Sequence, residues 1–357
     1  MNLGWLLAGQ KYLHALAQHN WSGTYVGAIA GHPGITVLSV SALLYWLHQF
    51  IPAIDVVFFH RAVFIILQAV LMTISLKLLR KWFSKYILFL TSIYWIFQPQ
   101  ILRALNISWL DQILTWLFTI IVLLWLRYVH EHRRWQFCAV GVLLGFALLT
   151  KVAAALIAMI LVVLSWQAIP KLRTRAKLLV GILVISALTF FLCYPAMWQD
   201  PLHTPFNRFN RSSRVEISLA PSRSSQYNLW YYFNSVFSLD PLAVVGMAIA
   251  LYLFLSRQKT DDKELVAGAG AMYILLLIVT SLVLRDYGNG SNAFLSARYV
   301  VPALPLLTVY SIEKTHALFK PKYFWLLFLA SVAYAILRLH FTQLSQFLCW
   351  LSAFFAG

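Results

Sequence analysis

Two charged residues stand inside apolar stretches of this chain. Asp111 lies within RALNISWLDQILTW (103–116), and Lys151 lies within GFALLTKVAAALI (145–157). Ionisable side chains are costly in such surroundings and point by default to function. A carboxylate there can orient a group or take a proton, and an ammonium can stabilise a developing phosphate charge. Arg103 precedes Asp111, and Arg298-Tyr299 follows the polar run RDYGNGSNAFLSA at 285–297. Arginine suits bidentate phosphate recognition. His32 is followed by Pro33-Gly34, a turn that would hold the imidazole in place. The long polar stretch 197–240 carries Arg211 and Trp230 among further Arg and aromatic residues, a composition suited to an anionic or saccharide ligand. Plainer roles stand beside these. Asp111 can be a helix N-terminal acid worth about 0.3–1 kcal/mol. Lys151 can be a turn residue with a snorkelling ammonium. Arg298 can anchor a helix among headgroups, and Trp230 can sit in an aromatic belt.

The elements that must position these residues are set by composition. Of the 357 residues, 61% are hydrophobic, 16% aromatic and 11% charged, and the mean hydropathy is +0.75. Soluble domains are about 45–50% apolar and about 25% charged. These values exclude an ordinary soluble domain, and the aromatic content excludes a disordered chain. A bilayer solvates this composition as helices that satisfy their own backbone groups. The expected fold class is all-α, a polytopic membrane bundle of roughly 10–11 transmembrane helices. Candidate spans are 61–79, 86–103, 109–127, 135–150, 152–169, 177–196, 241–256, 264–284, 299–313, 323–338 and 342–356. Cys138, Cys193 and Cys349 all lie in apolar runs without metal-ligand spacing.

There are 28 Lys and Arg against 11 Asp and Glu, a net charge of +17. In a membrane protein this excess orients the chain rather than binding nucleic acid. The short loops 77–85, 127–134, 171–177, 257–263 and 314–322 carry 17 of the positive charges and are expected in the cytoplasm. The remaining, mostly Arg, positions then fall on the far side. His130-Glu131-His132, in one of the inner loops, reads as a solvated turn. Near the N-terminus, 3–18 reads as an interfacial helix. The stretch 35–51 contains His48 and Gln49 and is marginal as a span. The chain is read as a single transmembrane domain, 1–357. It has an outer interfacial segment at 1–60 and a long outer loop at 197–240.

The segment KYLHALAQHNWSGTYVGAIAGHPGITVL (11–38) resembles the first outer loop of the protein O-mannosyltransferase-like membrane glycosyltransferases. RALNISWLDQILTW resembles that family's Asp-containing helix start. GFALLTKVAAALI resembles its Gly-x-x-x-Leu-Thr-Lys turn, and ARYVVPALPLLTV (297–309) resembles its late Arg-Tyr-x-x-Pro helix. The motifs occur in the family's order over most of the chain. The resemblance implies a GT-C type bundle whose site faces away from the cytoplasm. It also implies a polyprenyl-phosphate-linked sugar donor and a protein, lipid or glycan acceptor. On this reading Asp111 is a catalytic-site residue that positions groups or supports the acceptor. Lys151, Arg298 and Arg103 bind the donor phosphate, and His32, Tyr299, Arg211 and Trp230 contact substrate. No cofactor is called for, and Asp111 alone is too poor in ligands to argue for a tight metal site.

One departure bears on activity. The family carries an Asp-Glu pair just before its first interfacial helix, and residues 1–20 here contain no acid. The expectation is that the first helix and its acidic pair lie upstream of this sequence. The alternatives are a catalytically silent polyprenyl-phosphate binder and an unrelated transporter or flippase. The sequence lacks the paired halves that a transporter often shows. The expected location is a multi-pass protein of the bacterial plasma membrane, with its site outward.

Overall fold

The computed structural model describes residues 3–24, 34–98, 109–201, 261–285 and 301–334, with isolated positions at 245, 248, 252, 336 and 337. Among the described residues every regular element is helical. They comprise α1 (Leu3–Ala17), α2 (Ile35–His48), α3 (Val56–Leu79), α4 (Lys85–Phe97), α5 (Trp109–Glu131), α6 (Arg134–Thr150), α7 (Ala155–Ala168), α8 (Leu172–Leu192), the short α9 (Ala196–Gln199), α10 (Asp262–Arg285) and α11 (Leu304–Leu318). Residues 321–334 form a further helix, α12.

Four of the described helices are long and apolar enough to cross a membrane: Val56–Leu79, Leu110–Glu131, Leu172–Leu192 and Asp262–Thr280. Ile35–His48, Lys85–Phe97, Arg134–Thr150 and Ala155–Ala168 are apolar but shorter. The expected span 342–356 lies outside the described residues, as does most of 241–256. The outer faces carry the signature of lipid solvation. Val180, Leu183, Leu188 and Leu192 on α8 and Ile65, Ile66 and Val70 on α3 are all exposed. Apolar surface of this extent is not stable in water. The chain is accordingly read as a membrane protein.

Helix boundaries shift from the sequence expectation for local reasons. α3 begins at Val56 rather than 61 because the Asp55 carboxylate caps it, accepting from Phe58 N–H at 2.8 Å. α4 ends at Phe97, short of the expected 103. α5 runs to Glu131, past the expected 127. α8 starts at Leu172 rather than 177, so Arg173, Arg175 and Lys177 lie in its first turns.

α5 is the centre of the bundle. Its most apolar stretch is 78% buried, against 11% for that of α8. It packs on α3, α6, α7, α10 and α11. Its hydroxyls are satisfied within the helix, Thr115 donating to Asp111 O at 2.6 Å and Thr119 to Thr115 O at 2.9 Å. Such back-bonding suits an environment that offers no water. Trp95 of α4 donates its indole N–H to the Thr308 hydroxyl of α11 at 2.8 Å and packs edge-on against Trp116 of α5.

α6 and α8 run parallel and in direct contact, joined along the chain by the returning α7. Phe137 meets Gly181, Gly141 meets Ile185, and Gly145 meets Thr189. A Cβ at Gly141 or Gly145 would lie 2.7 Å from Ile185 Cβ or Thr189 Cβ. The two glycines are what lets these helices approach so closely.

Candidate functional site

The connection from α6 to α7 sets the site. Lys151 is extended, with φ −156° and ψ 140°, and ends α6. A single 3-10 turn, Val152–Ala154, then starts the return. Lys151 Nζ donates to Asp111 Oδ1 in the first turn of α5. Both side chains are only 2% exposed. Asp111 is the one buried carboxylate among the described residues. A charge taken out of water alone costs several kcal/mol, and a hydrogen-bonded partner offsets it. The two residues singled out in the sequence therefore form one buried ion pair. The snorkelling alternative for Lys151 is overturned, because its ammonium turns inward to Asp111 and is not carried to the surface.

The start of α2 closes against the same corner. Gly34 N–H donates to Thr150 O at 3.2 Å, satisfying a carbonyl at the end of α6. Thr36 Oγ1 donates to Phe146 O at 3.0 Å, and Thr150 Oγ1 donates to the same carbonyl at 2.7 Å. Gly34 has φ 57°, a left-handed conformation that glycine adopts without steric cost. The other end of α2 meets the start of α3, where the His48 and Phe59 rings lie 5.9 Å apart. Both ends of α2 therefore lie at the Asp111 end of the bundle, and α2 lies across that end instead of traversing it. Trp21, after α1, packs at a tilt against Trp198 of α9, with ring centroids 5.0 Å apart. The 3-10 turn Val301–Ala303 packs against α5 and leads into α11.

Of the sequence-derived site residues, Asp111 and Lys151 are brought together. His32, Arg103, Arg211, Trp230, Arg298 and Tyr299 lie outside the described residues. Sequence reasoning missed the Gly34–Thr150 link, although Pro33-Gly34 flagged a turn. It also missed the buried Gln112, Gln98 and Tyr194, which carry no local signal among apolar neighbours.

The opposite end of the bundle is built differently. α5 rises about 30 Å between Asp111 and Glu131 at 1.5 Å per residue. There Glu131 binds Lys81 at 3.1 Å and accepts from Gln136 at 2.8 Å. The Asp262 carboxylate accepts from the Trp82 indole N–H at 2.9 Å and meets His130 at 2.9 Å. Lys263 pairs with Glu313. His130 and Glu131 are thus tied to neighbouring helices, beyond the solvated turn expected of them. Among the described residues, no three His, Cys, Asp or Glu side chains converge as metal ligands. Basic loops 77–85 and 127–134 share this end with Asp261–Lys263 and the end of α11. The parallel α6–α8 register brings 171–177 there as well.

No family model matches the chain, and no characterised protein or solved structure is significantly similar to it.

Proposed function

We propose that this chain is a membrane glycosyltransferase, moving a sugar from a polyprenyl-phosphate carrier to an acceptor on the non-cytoplasmic face. The observation that carries the reading is the buried Asp111–Lys151 pair, opposite the basic end of the bundle. An acceptor oxygen attacks the anomeric carbon and the carbon–oxygen bond to the carrier phosphate breaks. The phosphate leaves with the electron pair, with inversion. Lys151 is the cation for that leaving charge. When the carrier phosphate binds, it replaces Asp111 as counter-ion to Lys151. The carboxylate is then able to take the acceptor's proton. Donor binding and base availability are coupled in this scheme, because both draw on one ammonium. Arg298 and Arg103 are proposed as further phosphate ligands, and His32, Tyr299, Arg211 and Trp230 as substrate contacts.

The test uses membranes carrying the chain and radiolabelled polyprenyl-phosphate sugars, following transfer out of the lipid fraction. Asp111→Asn and Lys151→Met are each expected to lower transfer by about 10²–10⁴-fold. Retention of polyprenyl phosphate without transfer by the inserted wild-type chain would replace this reading with a silent binder. Neither retention nor transfer would favour a transporter.

A further inference from the structure

α1 and α2 pack as a pair. A Cβ on Gly9 would meet Ser41 Cβ at 2.6 Å, and Ala8, Tyr12 and Ala15 on the inner face of α1 are buried. A flanking face of α1 carries exposed Lys11 and His14, and exposed Gln18 follows in the turn after the helix, four residues beyond His14. These three side chains form one wall of a groove of about 790 Å³, closed by Tyr45 of α2, by Gln49 just after it and by Asn20. The volume is in the range of small-molecule sites, about 300–1,000 Å³.

The groove is rich in hydrogen-bond donors and has no acid. Residues 1–54 contain no Asp or Glu, and no ion-pair partner for Lys11 occurs among the described residues. Asn20 Oδ1 is taken up by Ser22 Oγ and Gly23 N–H, each at 2.9 Å, so its amide NH₂ group is the part left for a ligand. A cation with a cluster of donors and no counter-charge calls for an anion.

The rim tells which anion. Trp46 of α2 and Phe50 just after it each follow a groove residue, Tyr45 and Gln49, and are 45% and 69% exposed, with their rings edge-on at 5.1 Å. Aromatic and apolar side chains beside a donor-lined groove fit a ligand with a charged head and a hydrocarbon tail. α2 lies across one end of the bundle, where a bilayer's headgroups would be. We propose that this groove holds the phosphate headgroup of an anionic phospholipid, with the lipid's chains along the exposed Trp46 and Phe50 rings. The site is separate from the Asp111–Lys151 pair and needs only that the chain sits in a bilayer, so it stands or falls apart from the transfer reaction.

The test uses the full chain in phosphatidylcholine nanodiscs containing spin-labelled phosphatidylglycerol or spin-labelled phosphatidylcholine, reading the immobilised fraction of each. The wild type is expected to prefer phosphatidylglycerol by about fivefold or more, the effect of one cation near a lipid phosphate. Lys11→Gln and Gln18→Glu are each expected to abolish most of that preference, while Lys320→Gln, at the other end, leaves it unchanged. Gln18→Glu adds an opposing charge at an exposed position in the turn after α1 and keeps the test valid if Lys11→Gln folds poorly. Equal immobilisation of the two lipids, or a preference unmoved by both groove variants, would overturn the proposal. So would displacement by free glycerol phosphate at the lipid's own affinity, which would make the groove a soluble-phosphate site. Sugar transfer measured on the same nanodiscs reports on the other site independently.

Discussion

Gly34 donates its backbone N–H to the carbonyl of Thr150, so the start of α2 is fixed one residue from Lys151. The link depends on a left-handed backbone at Gly34. Gly34→Ala is expected to destabilise the protein by about 1–2 kcal/mol, and Gly34→Asn by less, since Asn tolerates this conformation better. Thermal unfolding in detergent reads the difference. Equal stability of both variants with the wild type would mean that the turn is not held as described.

The Asp111–Lys151 pair predicts strong non-additivity. Lys151→Met leaves a buried carboxylate without its cation and is expected to cost about 3–5 kcal/mol. Asp111→Asn strands the ammonium in the same way. The double variant removes both charges and should recover much of the loss, since apolar replacement of a whole buried pair is often neutral. A double-mutant cycle in unfolding free energy checks this. Additive losses would argue that the two side chains do not share one interaction.

The sequence made one part of this site legible and hid another. A lone acid and a lone cation in apolar runs are visible without a structure, because burying a charge is costly. That they belong together, 40 residues apart, was not visible. It follows from α5 and α6 forming a hairpin that brings the residue after α6 beside the first turn of α5. Local capping leaves a weaker mark in the sequence. Asp55 starts α3 one turn early, while His60 and Arg61 interrupt the apolar pattern there. The Trp82–Asp262–His130 tie joins three segments far apart in sequence, and no periodicity in any one of them encodes it.

The α6–α8 contact has no room for larger side chains. Gly145→Leu would drive atoms into Thr189 and the Ser186 carbonyl, where even a Cβ would lie 2.8 Å from that oxygen. A loss of about 1–3 kcal/mol or more is expected from such overpacking. Gly268, where an added Cβ meets nothing within 4 Å, is the matched control, and Gly268→Ala should be tolerated. Unfolding midpoints of the two variants give the comparison.

The two ends of the bundle should be chemically distinguishable in intact cells. In a chain whose native cysteines are replaced, a cysteine at Gln18 should react with an impermeant thiol reagent added outside. One at Thr174 should react only after the membrane is opened. Both positions are exposed. Labelling in the reverse order would invert the orientation. Labelling of both from outside would remove the bundle from the membrane.

The bond from Thr36 to Phe146 spans 110 residues of chain. At about 5–20 residues per second, the ribosome needs about 5–20 s to make the second partner after the first. During that interval the α1–α2 pair has been synthesised but has no α6 to dock on, while α3, α4 and α5 emerge and insert. The N-terminal corner is therefore assembled late, as a clasp closed over an already inserted hairpin. Expressed as a separate piece, it would be a candidate to bind the remainder of the chain in trans.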